Sequence, residues 1–460
     1  MNKKNAKNIT IVGAGLAGSL MAILLAKRGF EVEVYEWRPD MRKVNISAGK
    51  SINLALSERG LRALRLVGMD DFIMKEVVPM KGRLVHNADG TKSLQKYSGR
   101  EGNFINSVSR GGLNKALMTK AEEYENVKFH FNSSLESVDY ELKEMKILNT
   151  ETKENHNISF ERLIGADGGG SAVRMSYHLG GVNRFSYSQQ FLKHGYKELE
   201  IPAGENNGFE IESGVLHIWP RHDFMMIALP NFDGSFTVTL FNTFEGKFGF
   251  DNIKTEKQVQ EFFEENFSDV IEKMPTLAKN YFANPTGALA TVKCFPWSRG
   301  GDAVLIGDAA HAVVPFYGQG MNASFEDCRV LDEIIGEYSG AIDESNDDMN
   351  WEKIFSDYQD ARKENGDAIG DLAVDNYVEM RSHTANLVFK RKRELELILE
   401  KNYEDFDSKY SMVTFRSDIG YAEAKARGEI QDKLLMRICA NVDSVNEIDL
   451  EIVRQQLRAL

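Results

Sequence analysis

The chain of 460 residues carries 56 basic and 69 acidic side chains, a formal net charge of −13 that argues against a nucleic-acid-binding surface. An apolar fraction of 42% with 27% charged residues is that of a globular protein, and the length allows two or three domains with a substantial core. Cys294, Cys328 and Cys439 are too widely spaced for a disulfide framework or a metal site, so they read as small buried hydrophobes in a reducing compartment, and no metal is expected. Residues 1–8 are polar and basic with no apolar signal core, and no uncharged apolar run approaches the roughly 20 residues that span a bilayer. A soluble, cytoplasmic protein is the expectation.

The first organised stretch reads as strand, glycine turn, helix, strand and acid. Asn8 to Val12 is a short buried strand, Gly13-Ala14-Gly15-Leu16-Ala17-Gly18 is a GxGxxG turn, Ser19 to Lys27 has helical apolar spacing, and Glu31 to Glu36 returns as a strand. This is the pattern of a βαβ dinucleotide site. Gly13 permits the tight turn, Gly15 admits a pyrophosphate close to the backbone, and Gly18 lets helix and strand pack closely. The helix N-terminus offers free N–H groups to phosphates. Glu36 stands where a carboxylate accepts hydrogen bonds from a ribose.

Further along, Leu61, Leu64 and Val67 mark a helix over 58–67, and Ala88-Asp89-Gly90-Thr91 separates two strand-like runs in a hairpin over 85–97. Ser107 to Gly112 opens a helix with Leu113, Leu117 and Ala121 on one face, and residues 127–164 alternate as short strands. Leu163 to Arg174 (LIGADGGGSAVR) runs from a strand through Asp167 into a glycine-rich turn with a second free helix N-terminus at Ser171. With Arg174 it suits a second phosphate contact. Period-2 alternation over 181–285 predicts an antiparallel sheet walling a cavity, with Phe236 and Phe241 as candidate pocket residues or as plain sheet core.

Ala303 to Asn322 (AVLIGDAAHAVVPFYGQGMN) holds a strand, Gly307-Asp308, a glycine-rich loop and a helix from about Met321 to Ile335. Asp308 can hydrogen-bond a polyol chain, and the helix start at Gly320-Met321-Asn322 can face a ring that becomes anionic on reduction. His311, between alanines, reads as structural rather than as an acid/base. Beyond residue 350 the spacing is helical, and Lys390 to Arg393 reads as a solvated basic face.

GAGLAG with Glu36, GADGGGSAVR and GDAAHAVVPFYGQGMN, in this order, resemble the FAD-binding motifs of the single-component FAD-dependent aromatic hydroxylases. SINLALSERG (51–60), Arg83, Tyr97, NYVEMR (376–381) and YSMVTF (410–415) make the chain similar to the kynurenine-hydroxylating branch over nearly its whole length. The resemblance implies an α/β fold with a Rossmann-like FAD-binding domain, an inserted antiparallel substrate sheet and a helical C-terminal region. Its parts are 1–75 (FAD-binding βαβ), 76–101 (substrate-region hairpin), 102–180 (FAD-binding, continued), 181–285 (substrate sheet), 286–350 (FAD-binding, completed) and 351–460 (helical).

It further implies hydroxylation of L-kynurenine at position 3 with O2 and NADPH, through a flavin C4a-hydroperoxide, as a step of tryptophan degradation. Arg83, Tyr97, Asn376 and Tyr410 are implied at the substrate end, with Phe316 and Tyr317 near the flavin. Gly13, Gly15, Leu16, Ala17, Gly18, Glu36, Arg38, Arg110, Asp167, Asp308, Gly318, Gly320, Met321 and Asn322 are implied at the cofactor. No second GxGxxG occurs, so NADPH is expected to visit without a domain of its own. Relatives that end in a membrane anchor differ from this sequence, which shows none. The alternatives are a hydroxylase of another anthranilate-like acid, a flavin-dependent amino-acid dehydrogenase or oxidase, and a non-catalytic flavoprotein.

Overall fold

The computed structural model describes residues 8–44, 53–180, 182, 184–340, 349–379 and 386–460. Ser51, Ile52, Met380 and Arg381, quoted above among the family signatures, lie outside them.

Strand Asn8–Val12 and strand Glu31–Tyr35 flank helix Leu16–Lys27, as the glycine turn predicts. The helix has almost no polar face because Gly18 to Ala26 are all buried, which makes it a core element. Strand Asn8–Val12 lies between Arg162–Gly165 and Glu31–Tyr35 in a six-stranded sheet whose outer members are Val127–His130, Ala303–Leu305 and Ser298–Arg299. All pairs are parallel except the last. The strands that precede the three glycine motifs are therefore neighbours, and their C-terminal ends open on one crevice.

A seven-stranded sheet runs Gly287–Phe295, Ser186–Ile201, Phe236–Thr243, Phe224–Pro230, Leu216–Arg221, Gly82–His86 and Lys92–Lys96. Three features depart from the sequence reading. Residues 244–286 carry helices Glu256–Asn266 and Leu277–Ala283 rather than strands, and Gly287–Phe295 takes the sheet past residue 285. The hairpin over 82–96 is also the far edge of this sheet, joined by a parallel pairing of Leu216, His217 and Ile218 with Arg83, Leu84 and Val85. Residues 107–109, expected to open a helix, finish strand Ile105–Ser109; the helix starts at Arg110, where the Ser109 side chain accepts from Gly112 N.

The C-terminal region forms helices Trp351–Val378, Leu387–Asn402, Lys409–Phe415, Tyr421–Cys439 and Leu450–Arg458. None of the described helices is long and apolar enough to cross a membrane. Three residues of the basic run 390–393 are not solvated. Helix Leu387–Asn402 lies between the hairpin and helix Tyr421–Cys439, so Lys392 is buried beside Glu396 and Asp432, Arg391 donates to Val442 O, and Arg393 donates to Lys96 O and Tyr97 O.

A buried ionic network joins this region to the FAD-type motifs. Arg59 donates to the carbonyls of Met412, Val413, Arg416 and Ile419 and pairs with Glu326 at 2.8 Å. Arg362 bridges Glu326 and Asp327, each at 2.7 Å. Burial raises the Glu326 and Asp327 carboxyls, but their cationic neighbours outweigh it and hold both below the usual range. Removing one partner strands a buried charge. Arg59→Ala should therefore cost about 3–5 kcal/mol of stability, read from its urea-unfolding midpoint; an unchanged midpoint would show the network to be dispensable.

Candidate functional site

A cavity of about 860 Å³ lies between the parallel sheet and the inner face of the seven-stranded sheet. That volume is near the upper end of ligand clefts, roughly 300–1,000 Å³.

At one end the walls are backbone and glycine. Gly13, Gly15, Leu16, Ala17, Glu36 and Arg38 line it. Gly13 has φ of +102°, and a Cβ there would meet Ala166 O at 2.5 Å. Gly15 faces open space, and no side chain caps the helix it begins, so the first-turn N–H groups are free for an anion. Gly18 is not a wall residue: its missing Cβ would lie 1.9 Å from Gly13 O, so it acts through packing. Glu36 is buried, accepts from Ala14 N at 2.9 Å and pairs with Arg38 at 2.7 Å, thereby fixing the shape of the glycine turn.

The second glycine motif works differently from its sequence reading. Asp167 lines the cavity, but its carboxylate accepts from Ala172 N, Val173 N and Ser171 Oγ, so the helix start at Ser171 is already occupied. Arg174 is buried and donates to Ala309 O and Gly169 O, tying two loops together instead of facing a phosphate.

Asp308 opens into the cavity opposite Arg110. Burial pushes its carboxyl up while Arg110 draws it down. Gly318, Gly320 and Met321 line the same wall, with Gly318 at φ +68°. Asn322 does not reach it. The side chain accepts from Ser57 N and donates to Ala55 O and Gly318 O, which holds the loop. His311 is buried, 2.6 Å from Asp327, and is absent from the wall.

At the other end the walls are apolar and aromatic. Phe241 and Phe316 have ring centroids 5.0 Å apart. Phe236 does not join them. It packs on the outer face of the sheet with Trp219 and Phe262, because residues five apart on a strand point to opposite faces. The same alternation brings Met225, Ile227 and Leu229 to the cavity wall. They were not singled out from the sequence, although the parity of Phe241 and the strand pairing identify them.

Arg83, Tyr97, Tyr317 and Tyr410 form the corner of this end. Tyr410 stacks between Tyr97 and Tyr317, at 5.5 and 5.6 Å, and the Arg83 guanidinium carbon lies 4.9 Å from its ring. Among the described residues, Arg83 Nε and Tyr97 Oη are both buried with no well-formed hydrogen bond, although the Arg83 guanidinium lies near enough to Tyr97 to draw its phenol down against the effect of burial. Burial pushes the Tyr97 and Tyr317 phenols far above their ordinary range, so both remain protonated donors. Asn376 borders a smaller cavity behind Arg83 and donates to Phe316 O at 2.7 Å.

The residues fit a flavin dinucleotide: an uncapped helix start beside a glycine without a neighbour, an aspartate open to the cavity at the third motif, and both on the wall of one cavity of about 860 Å³. A family model described as an FAD binding domain matches residues 6–345. The chain is 40% identical over 460 residues to the kynurenine 3-monooxygenase of Myxococcus xanthus, covering 100% of this chain and 96% of that protein. It is 44% identical to the one from Dictyostelium discoideum, covering 98% of each. A solved structure of 2-methyl-3-hydroxypyridine-5-carboxylic acid oxygenase shares the fold, with a TM-score of 0.66 at 19% identity over 86% of this chain and 98% of that one.

Glu36→Ala should release Ala14 N and Arg38 and weaken FAD retention about 10-fold or more, given the 1.5–3 kcal/mol typical of hydrogen bonds to charged groups. Flavin absorbance per protein after gel filtration checks this, and a fully flavinated variant would show that the turn holds without its acid.

Proposed function

The chain belongs to the kynurenine 3-monooxygenases, FAD-dependent aromatic hydroxylases, and on that premise we propose that it hydroxylates L-kynurenine to 3-hydroxy-L-kynurenine with Arg83 and Tyr97 as the carboxylate anchor. The observation that carries this assignment is the pair of adjacent buried donors, Arg83 Nε and Tyr97 Oη, that find no acceptor of good geometry among the described residues, at the corner of a largely apolar pocket end. A buried donor without a partner is costly. An amino-acid carboxylate supplies the missing acceptor, and a guanidinium pairs with it through two parallel hydrogen bonds.

With the carboxylate held there, the aromatic ring of the substrate extends towards Phe241, Phe316, Ile227 and Met225, which offer shape and no competing hydrogen bond. Bound FAD would supply the redox chemistry, with NADPH as hydride donor and O2 as the source of the oxygen atom. Gly13, Gly15, Leu16, Ala17, Glu36 and Arg38 would hold its adenosine and phosphate end, and Asp308, Gly318, Gly320, Met321 and Arg110 its ribityl and ring end. Asp167, Gly18 and Asn322 serve by fixing the backbone around it.

The substrate's own aniline nitrogen enriches the neighbouring ring carbon, so no strong protein base is required. Tyr410 and Tyr317 close the corner by stacking, and the apolar sheet wall keeps water from the reacting atoms. Asn376 sets the Phe316 backbone and so the aromatic wall. The buried, unpaired cysteines fit a reducing compartment, and the reading places the enzyme in the cytoplasm.

Arg83→Ala should raise the KM for L-kynurenine roughly 100-fold, since charge-assisted bonds contribute about 1.5–3 kcal/mol each. FAD content should not change, because the two ends of the cavity use different residues. Steady-state kinetics on flavin-matched protein decides, and an unchanged KM would remove Arg83 from the carboxylate.

A further inference from the structure

On the outer face of the seven-stranded sheet, opposite Arg83, two buried histidines and an aspartate nearer the surface form a chain of titratable groups that the reaction does not use. His86 Nδ1 is 2.7 Å from Asp269 Oδ2, His86 Nε2 is 2.9 Å from His217 Nδ1, and His217 Nε2 is 2.7 Å from Glu212 O. Trp219 stacks on His86 at 4.1 Å and donates Nε1–H to both Asp269 oxygens at 3.0 Å. Lys92, opposite His86 in register, and Arg221, which donates to His86 O, complete the surrounding charges.

Donor and acceptor counting fixes the protons. A carbonyl only accepts, so His217 carries its proton on Nε2. Burial holds His217 down to about 4, so it is neutral near pH 7 and its Nδ1 must accept. His86 therefore donates from Nε2. Burial raises the Asp269 carboxyl, but its His86 and Trp219 bonds outweigh that and hold it below its ordinary range, so it too accepts.

The chain sits at the shortest ladder of the sheet. The hairpin that bears Arg83, with Tyr97 at its base, has Lys92–Lys96 as the sheet's outermost strand and pairs with the remaining strands through the short parallel register of Leu216, His217 and Ile218. The side-chain bond between His86 and His217 crosses that seam. We propose that His217, His86 and Asp269 act as a clasp of positioning residues that holds the Arg83–Tyr97 hairpin in register, and thereby sets affinity for the substrate carboxylate. This inference rests on the reading of Arg83 as the anchor.

His86→Phe is the sharpest variant, because His86 lies outside the cavity wall and a phenyl ring keeps the stacking on Trp219 while losing both nitrogens. His217 Nδ1 is then left without its donor across the seam, which breaks the clasp. His217→Phe should break it directly. His217→Gln should preserve it, since its amide can accept from His86 and donate to Glu212 O.

The experiment is steady-state kinetics with L-kynurenine on flavin-matched holoenzymes of these three variants, alone and in the Arg83→Ala background. Expected is a KM raised about 10-fold, equivalent to about 1.4 kcal/mol, for His86→Phe and His217→Phe. Their kcat and FAD content should be close to the parent, His217→Gln should be near wild type, and no further rise should occur once Arg83 is absent. Unchanged KM in both disruptive variants overturns the clasp, as does a fall in kcat and FAD content without a KM effect. If Arg83→Ala alone leaves KM unchanged, the anchor reading fails first and the clasp falls with it. Should His217→Phe fail to accumulate, the His86→Phe result stands by itself.

Discussion

The structure depends on four charged groups and a histidine buried together. Arg59, Glu326, Asp327, Arg362 and His311 come from four separate elements, and their pairings exclude water. Desolvating each ion costs several kcal/mol, which is recovered only when every donor and lone pair finds a partner. Here they do: the second oxygen of Asp327 receives Gly307 N as well as His311, and Arg59 fills its remaining valences with carbonyls of 412–419. The network fixes the Gly307-Asp308 turn against helix Gly320–Gly340, and anchors to both the segment that carries Tyr410. The FAD end and the substrate end are thus held in one frame.

Within that frame the cavity meets two opposed demands. A dinucleotide needs backbone N–H groups, glycine and a few polar contacts, and the parallel sheet supplies these at its C-terminal edge. An aromatic amino acid needs an apolar slot with a single polar corner, and the antiparallel sheet supplies this by turning alternate residues inward. Arg83 belongs to neither half in sequence. It arrives on a hairpin from 82–96 that adds to a sheet otherwise built from 186–295. Keeping that edge in register is a structural task in itself, and the His86–His217 pairing across the seam addresses it.

The glycine motifs were legible in the sequence because their chemistry is local: a turn, a close approach and a helix start are all set within a dozen residues. The antiparallel strands were legible through their alternation, which also explains the error at Phe236. Its odd separation from Phe241 excludes a shared face once both are placed on one strand. Less could be read where the partner lies far off in the chain. Arg174 resembles a phosphate ligand until Ala309 O meets it, Asn322 until Ser57 N does, and the 390–393 run looks solvated until the hairpin and helix Tyr421–Cys439 close over it. Each is a polar group satisfied by tertiary contact, a fact that spacing along the chain does not encode.

The central claim is that one cavity brings a flavin and an anchored kynurenine together with water kept out. It is tested most directly by following NADPH oxidation, hydrogen peroxide and product mass in one vessel, with and without L-kynurenine. The account predicts that kynurenine stimulates NADPH consumption and yields a product heavier by one oxygen, with little peroxide. Stimulated oxidation that produces only peroxide would contradict it, because the ring would then not occupy the position that Arg83 and the aromatic wall define.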